Sequence, residues 1–395
     1  MYPVSLLERW LSRNCPSMHA ARRQATRRAV TAIISGGKAV LTEIGRHLTT
    51  GRFEKHRIKS ADRLIGNSLL HAERLCIYQA LAHWLLSRTL RPWIIIDWSD
   101  VDLDHRHLML KAAVPVGGRA MTIYEEVHPL KRYNSPKTHR KFLERLSAVV
   151  PPNCHPIVIT DAGFRGPWFE AVSALGWDWI GRVRNRVTYR MEGTSSWRAL
   201  RSLYSQATST PCGLGQGWLS STRPYACQLY LYQAFKRGPG RPRKALRAIP
   251  NQRRKRRSAR EPWVLATSLP SATWSAARIV RAYQKRMQIE ETFRDLKGHR
   301  WGYGLQYTRS RSPERLENLL LLASLATLAT WLTGLAARAA QLAKHFQANT
   351  VHTKSVLSTF FLGRRVLQSA CPSVQPPNIR DAFHLLPFIV NQHTQ

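Results

Sequence analysis

The chain has 395 residues, enough for two or three domains, and its hydrophobic content of 44% argues against wholesale disorder. It carries 61 Lys and Arg residues against 23 Asp and Glu residues, a formal net charge of +38. A charge of this size selects polyanionic partners, among which nucleic acid fits best. The six cysteines contain no CxxC pair, and the first residues lack the pattern of a secretory signal, so we expect a reducing, cytoplasmic setting.

Residues 1–88 have a helical pattern throughout. A helix that begins near residue 20 is expected to end at the Ser-Gly-Gly sequence of residues 35–37. Short amphipathic helices at 41–48 and 58–65 lie on either side of a turn and a group of basic residues. This pattern is typical of a helix-turn-helix-like DNA-binding module, although a plain helical bundle would give the same pattern.

Two apolar, β-branched runs each lead to an aspartate: residues 93–100 contain Asp97, and residues 156–161 end at Asp161. Such runs predict strands buried on both faces. An unpaired carboxylate inside one would cost several kcal/mol, so either a cation neutralises Asp97 or the strand ends there. A helix or turn cap is the alternative role. In open α/β sheets, ligand sites gather at the carboxyl ends of strands, so the pair indicates a site.

Other local signals complete an α/β pattern. A glycine pair at 117–118 predicts the turn of a hairpin over residues 107–127. Helices at 136–149 and 167–175 and a strand at 177–184 follow. Alternating segments in 186–260 predict a small β insertion, and a further apolar strand is expected at 262–269.

The insertion ends in a strongly basic stretch that runs through residues 236–244 and 253–257. Its Gly-Arg-Pro core, which contains Arg241 and is flanked by cations that include Arg237, resembles an AT-hook, which lays arginine in a narrow minor groove. A solvated basic loop is the alternative, and both interpretations place DNA nearby.

Residues 282–300 are predicted to form one helix. At about 100° per residue, Tyr283, Arg286, Glu290 and Lys297 fall within an arc of about 60°. This face carries a phenol, a guanidinium, a carboxylate and an ammonium, and it suits an anionic partner. The alternative is a solvated, salt-bridged helix face without a binding role.

The uncharged segment 319–337 is long enough to cross a membrane. Its Ala, Thr and Gly content also fits a helix buried in a large domain, which is the interpretation that we favour. Residues 344–395 are mixed in character and end in a short apolar tail at 382–390.

Asp97, Asp161 and Glu290 together suggest metal-dependent phosphodiester chemistry. In-line attack needs charge neutralised on the entering and leaving oxygens, and two Mg²⁺ or Mn²⁺ ions about 4 Å apart do this. Such ions require hard oxygen ligands on rigid elements, chiefly carboxylates. Arg286 and Lys297 are then candidates to hold DNA phosphates.

The spacing Tyr-x2-Arg-x3-Glu-x6-Lys, with the segments IIIDWSD, ITDAGF, EPWVLAT and KRMQIEETFRDLK, resembles the hairpin-forming cut-and-paste DDE transposases of bacterial insertion sequences, the insertion-sequence-four family. The resemblance implies an α/β fold, with an RNase H-like catalytic core interrupted by a β-rich insertion and an N-terminal all-helical DNA-binding domain. The implied domains are 1–88 for DNA-end binding, 89–185 and 261–343 for the catalytic core, 186–260 for the insertion, and 344–395 for a C-terminal region suited to dimerisation.

The same resemblance implies roles for individual residues. Asp97, Asp161 and Glu290 would bind the two metal ions. Trp263 would stack a flipped base during hairpin formation, unless it is simply a core aromatic. The implied DNA contacts are Tyr283, Arg286, Lys297, Trp263, Arg182 and Arg184, and the AT-hook-like stretch adds Arg237 and Arg241 as candidates.

The implied partners are transposon-end DNA and target DNA, with a homodimer in the synaptic complex and no membrane, in the nucleoid-associated cytoplasm of a bacterium. Two alternatives remain open at this stage. The chain could be a structure-specific, metal-dependent nuclease of the same fold, or a non-catalytic DNA-binding relic.

Overall fold

A computed structural model describes residues 1–51, 53–185, 187–234, 261–348, 356–369 and 374–394. The chain forms two compact units. Unit 1 combines Met1–Cys154 with Met287–Gln395, and unit 2 is the continuous segment His155–Arg286. This division differs from the five sequence segments predicted above, whose boundaries stay a prediction.

Unit 1 begins with a group of helices, as its sequence predicts. Their bounds are α1 Tyr2–Asn14, α2 Ala20–Gly36, α3 Leu41–His47, α4 Glu54–Ile65 and α5 Ser68–Leu85. Helix α2 ends at Gly37, whose φ of 65° is a left-handed cap that glycine adopts without strain. Helices α3 and α4 pack against each other, and the whole group belongs to unit 1 rather than standing as a unit of its own.

The sheet of unit 1 is an antiparallel meander in the order β3-β2-β1. Its strands are β1 Trp93–Asp100, β2 His107–Pro115 and β3 Ala120–Pro129, followed by a 3-10 turn, Leu130–Arg132, and helix α6, Pro136–Val149. Every residue of β2 is buried, because helices cover the sheet. The hairpin predicted around the glycine pair and the predicted helix at 136–149 are therefore confirmed.

Unit 2 contains a second set of strands in the order β4-β5-β10-β9-β8-β6-β7. The elements are β4 Ile157–Thr160, α7 Gly166–Ala174, β5 Asp178–Val183, β6 Thr188–Met191, β7 Arg198–Ala199, a 3-10 helix Leu200–Gln206, β8 Cys212–Leu219, β9 Tyr225–Tyr232, β10 Trp263–Thr267 and α8 Ala276–Gln284. Strands β4 and β5 are parallel and are joined through α7, which is the predicted βαβ arrangement. The insertion strand β9 pairs directly with β10, so the insertion extends the sheet of this unit.

The chain returns to unit 1 with α9 Met287–Lys297, a 3-10 turn Leu305–Tyr307, α10 Pro313–Ala339, α11 Ala343–Phe346, α12 Thr359–Gln368 and α13 Pro376–His393. By length and composition α10 could cross a membrane, with a mean hydropathy of 1.9 over its most apolar stretch. However, 83% of that stretch is buried, and α10 packs against α2, α5, α12, α13 and β3. The prediction of a buried core helix is confirmed, and the predicted apolar tail is the interior of α13.

The mixed α/β class is thus confirmed, and the RNase H-like identity of the core stays a prediction. One element differs from the sequence prediction. The single helix expected over residues 282–300 is two helices, α8 and α9, separated by a tight turn at Lys285 and Arg286. The two units meet in sequence at this same turn, after Arg286.

Candidate active site

Asp97 lies inside β1, three residues before its end at Asp100. The strand therefore does not stop at the aspartate, which corrects the expectation of a strand-end residue. Its partner across the sheet is Lys111 of β2, and paired residues of neighbouring strands point to the same face. Of the two sequence alternatives, a cation beside the carboxylate is the one that the structure supports.

Helix α9 is fixed to the β2–β3 hairpin by one of its faces. The Thr292 hydroxyl accepts a hydrogen bond of 2.9 Å from the Ala120 amide, and Asp295 forms an ion pair with Arg119. One turn earlier, the Gln288 side chain accepts a hydrogen bond of 3.2 Å from the amide of Val116. Positions 288, 292 and 295 form one helical stripe, so these contacts set the rotation of α9 over the sheet.

The opposite side of α9 carries Glu290, Phe293 and Lys297. Glu290 and Lys297 are seven residues apart, which puts them two turns and about 20° apart on the helix. The Lys297 ammonium donates a hydrogen bond of 2.7 Å to the Ser99 hydroxyl, which points to the same face of β1 as Asp97. The stripe that carries Glu290 therefore lies over the strand that carries Asp97.

The charge of Lys297 is closely coupled to β1. Burial lowers the pKa of Lys297, whereas the nearby Asp100 and Asp97 act to raise it and Lys111 acts to lower it. The ammonium also lies 5.8 Å from the centre of the Phe293 ring. Lys297 is thus held in a defined place, rather than on a freely solvated face.

A fully buried ion pair continues the cross-strand row of Asp97 into β2 and β3. Lys111 is 1% exposed and Glu125 is 0% exposed, and the ammonium is 2.8 Å from the Glu125 carboxylate. Glu125 also accepts hydrogen bonds from the Tyr78 hydroxyl at 2.9 Å and the Ser324 hydroxyl at 2.7 Å. Burial acts to raise the pKa of Glu125, but the charge and hydrogen bond of Lys111, with the two hydroxyls, lower it below its usual range. The Glu125 carboxylate is therefore ionised at neutral pH.

The opposite face of β1 is anchored through Trp98. Its indole donates a hydrogen bond of 3.1 Å to His139 of α6, and its ring contacts the rings of His128 and Tyr133, each with centres 5.6 Å apart. Burial, with the charge of His128, lowers the pKa of His139 to about 4, so the imidazole is neutral and can accept this bond at neutral pH. The residue directly after Asp97 is thus rigidly held.

Glu126 of β3 forms a second buried network on that face. Its carboxylate accepts a hydrogen bond of 2.6 Å from Tyr124 and one of 2.8 Å from Arg145, and it lies 2.8 Å from the His128 imidazole. Burial acts to raise the pKa of Glu126, yet these contacts lower it to about 2. The sequence prediction missed both buried carboxylates. Charged residues inside apolar strand runs were the available signal, because buried charges require partners.

In unit 2, Asp161 directly follows β4, as predicted for a strand-end residue. One of its carboxylate oxygens accepts a hydrogen bond of 2.8 Å from the Gly163 amide, which fixes the side chain in a local turn. Asp161 is partly exposed. Its second carboxylate oxygen has no hydrogen bond within the part of the chain that the structure describes.

Tyr283 lies at the end of α8 and is only 4% exposed. Its ring meets the ring of Trp263 edge to face, with centres 4.9 Å apart, and Trp263 in turn contacts Tyr232 at 5.6 Å. Burial raises the pKa of Tyr283, although Arg286 and Arg182 act to lower it. The buried phenol supports Trp263, which is itself partly exposed at the first position of β10.

Arg182 and Arg184 extend from β5 and the residue after it toward the start of β10. Arg182 donates to the backbone carbonyls of Glu261 and Pro262 at 3.2 and 3.4 Å. Arg184 forms an ion pair with the Glu261 carboxylate at 2.5 Å. Burial, with the charge of Arg184, lowers the pKa of Arg182. Both predicted DNA contacts therefore brace the strand that begins at Trp263.

A cleft of about 1280 Å³ opens within unit 2 beside Asp161. It lies between the start of α7, the end of β5, the 3-10 helix and the turn between β8 and β9. Its charged lining residues are Asp161, Arg165, Glu170, Arg182, Arg184, Arg201, Arg223 and Glu261.

The predicted site residues divide between the two units. Asp97, Glu290 and Lys297 belong to unit 1, whereas unit 2 contains Asp161, Trp263, Tyr283, Arg286, Arg182 and Arg184. The predicted 60° arc depended on one continuous helix, and the turn at 285–286 removes that basis. Arg237 and Arg241, with the AT-hook-like stretch, lie outside the described residues.

The donor chemistry fits a hard divalent cation, because Asp97, Asp161 and Glu290 offer carboxylate oxygens on strands and a helix. Among the described residues, no group of three or more His, Cys, Asp and Glu side chains is close enough to hold a metal ion. A shared three-carboxylate site therefore stays a prediction.

Comparison with known protein families gives a match to the family described as Transposase DDE domain, over residues 88–329. This range is more than half of the chain, and it includes the positions of Asp97, Asp161 and Glu290. No curated protein matches the chain.

Proposed function

Since the chain belongs to the transposase DDE domain family, we propose that it cuts the two ends of an insertion sequence through a hairpin intermediate and joins them to target DNA. Membership makes the chain a DNA transposase in general terms. The proposal adds the hairpin, the cut-and-paste outcome, and a relationship to the insertion-sequence-four family and to the transposase of transposon ten.

One observation carries the proposal. The helix with Glu290 lies over the strand with Asp97, and Lys297 of the same stripe reaches that strand through Ser99. Glu290 and Lys297 belong to the Tyr-Arg-Glu-Lys spacing. A different rotation of the helix would turn Glu290 away from the strand that carries Asp97. Gln288, Thr292 and Asp295 fix this rotation through contacts to the hairpin.

Asp97, Asp161 and Glu290 would hold the metal ions. The bound ions would supply charge neutralisation at the entering and leaving oxygens of each in-line displacement. Lys297 lies close to Asp97, so a DNA phosphate that approaches this strand meets its amino group. A single site of this kind serves nicking, hairpin formation, hairpin opening and joining, because each is the same displacement with a different nucleophile.

Hairpin formation demands a tightly bent DNA end, and Trp263 suits that demand. It is partly exposed, and its position is fixed by Tyr283 and Tyr232. A rigid aromatic ring can stack on an unpaired base and offset the loss of base stacking, a contribution of about 1–3 kcal/mol. In this proposal Tyr283 positions Trp263, while Trp263 contacts the base.

The test is incubation of the full chain with Mg²⁺ and a duplex that carries the element's own terminal repeats. We expect nicked and hairpin products on denaturing gels. Asp161→Asn and Glu290→Gln should each lower cleavage more than about 100-fold, because even outer partners of metal ligands contribute about 10- to 100-fold. Glu291→Gln is the matched control on α9, since Glu291 pairs with Arg294 at 2.6 Å and lies 3.7 Å from Arg119, which keeps its ion pair with Asp295 in this variant, and it should cleave normally.

Two results would replace the proposal with another function. Cleavage with no joining of supplied 3′-OH ends would indicate a structure-specific nuclease. DNA binding that is unchanged in Asp161→Asn, with no cleavage by the unsubstituted chain, would indicate a non-catalytic relic. Trp263→Ala should retain nicking but lose hairpins, with Trp263→Phe intermediate, and equal loss of both products would argue against a base-stacking role.

A further inference from the structure

We propose that the arginine-lined cleft of unit 2 binds the sugar-phosphate backbone of a short single-stranded DNA segment next to the phosphate that Asp161 serves. This inference rests on the proposed function, which brings a DNA end to Asp161. It assigns a ligand to Arg165, Arg201 and Arg223, none of which the Tyr-Arg-Glu-Lys spacing includes.

The charges of the cleft favour an anion. Five arginines line it against three carboxylates. Two of the arginines already have acidic partners, since Arg184 pairs with Glu261 and Arg223 pairs with Glu170 at 2.6 Å. Arg165 and Arg201 are exposed and have no ion pair with any residue that the structure describes. These two guanidinium groups are therefore available to phosphate.

Arg223 can also exchange its partner. Its side chain is 71% exposed, and an ion pair in such a place contributes little stability. A backbone phosphate can take the place of this carboxylate, because it offers a guanidinium two parallel hydrogen bonds. Binding of a backbone would thus engage Arg165, Arg201 and Arg223 together.

The cleft is built on a rigid floor. The ring of Tyr225 packs against Phe169 and Trp179, with centres 6.0 and 6.3 Å apart. Gly166, at the start of α7, leaves room for this ring, since a Cβ there would lie 3.0 Å from it. The arginines therefore project from fixed elements, and little conformational freedom is lost when they bind.

The size of the cleft favours a single strand over a duplex. Sites for small ligands measure roughly 300–1,000 Å³, and this cleft, at about 1280 Å³, exceeds them only slightly. A positively charged groove with an aromatic floor is typical of single-strand binding, with sites on the order of 4 nucleotides or more.

The experiment compares two probes with the full chain in the absence of divalent metal, so that binding is measured without cleavage. One probe is a blunt duplex with the terminal repeat, and the other is the same duplex with a four-nucleotide single-stranded extension. Dissociation constants are measured at several salt concentrations. Both probes contain the same duplex, so the difference between their dissociation constants removes the duplex binding that the other cations of this basic chain contribute.

We expect the extension to raise affinity and to steepen the salt dependence. In the Arg165→Gln/Arg201→Gln variant, the slope of log K against log salt for the extended probe should fall by about 1.4, or about 0.7 for each lost single-strand phosphate contact. The blunt duplex should be unaffected. Arg198→Gln is the matched control, since Arg198 is exposed in the same unit but does not line the cleft.

Equal binding of both probes by the unsubstituted chain would overturn the proposal. The proposal would also fail if the single-stranded extension still raised the affinity of the Arg165→Gln/Arg201→Gln variant, or no longer raised that of Arg198→Gln. An equal loss of affinity for the blunt duplex in the double variant would contradict it as well. Circular dichroism and the thermal midpoint establish that each variant is folded. A chain that never forms hairpins but shows the cleft-dependent effect would refute the proposed function alone.

Discussion

Lys111→Met is the substitution with the largest expected effect on stability. Lys111 and Glu125 are 1% and 0% exposed, and their charged groups are 2.8 Å apart. Removal of the ammonium leaves the Glu125 carboxylate buried without its counter-charge, which typically costs about 3–5 kcal/mol. Because the Tyr78 and Ser324 hydroxyls still donate to Glu125, we expect the lower half of that range.

A double-mutant cycle isolates the pair. Glu125→Gln removes the charge but keeps an oxygen that can accept from Tyr78 and Ser324. The Lys111→Met/Glu125→Gln variant should therefore recover most of the loss, with a coupling free energy above about 2 kcal/mol. The assay is urea unfolding at pH 7, followed by circular dichroism, with exposed Lys141→Met as a control expected within about 0.5 kcal/mol of the unsubstituted chain.

The pH dependence of Lys111→Met provides an independent check. Without Lys111, burial raises the pKa of Glu125 above its unfolded value, because desolvation disfavours the charged form. A group with a raised folded pKa contributes stability below its unfolded pKa that is lost as pH rises through the folded pKa. The stability that Lys111→Met loses relative to the unsubstituted chain should thus become smaller as pH falls toward the unfolded pKa of Glu125. Additive single-variant costs, or a deficit that grows on acidification, would refute the buried ion pair.

Two further predictions concern stability. The pKa of Glu126 is lowered from 4.5 to about 2, which contributes about 3 kcal/mol of stability that is present above pH 4.5 and lost as pH falls through 2. In Glu126→Gln, the free energy of unfolding in urea should therefore change less between pH 5 and pH 2 than in the unsubstituted chain. The control Glu144→Gln, at an exposed position, should keep the original pH dependence. Gly334→Ala places a Cβ against the Thr359 carbonyl where α10 meets α12, so we expect a loss of about 1–3 kcal/mol in calorimetry, and an unchanged midpoint would contradict this close packing.

Much of the fold follows from local sequence signals. The strand of residues 93–100, the hairpin at the glycine pair and the helix from Pro136 are all found as predicted, because apolar periodicity and turn residues act over a few positions. The position of Asp161 after a β-branched run is equally local. These signals identified the acids before any tertiary contact was known.

Long-range contacts explain what the sequence did not reveal. No glycine or proline marks the turn at Lys285 and Arg286, so residues 282–300 looked like one helix. The rotation of α9 depends on Val116, Ala120 and Arg119, which are more than 170 positions away in sequence. Similarly, the sequence left open whether a cation or a strand end accommodates Asp97, because its cross-strand partner Lys111 becomes visible only when β1 and β2 are in register.

The discontinuity of unit 1 has a consequence for synthesis on the ribosome. Residues 155–286, which form unit 2, leave the ribosome as one piece, whereas the first 154 residues must wait for α10. Until then Arg74 lacks Glu317, and Glu125 lacks Ser324. Domains fold as units during synthesis, so unit 2 can finish first although it begins second. A premature stop codon between residues 287 and 313 would therefore leave unit 2 intact and unit 1 unable to close its core.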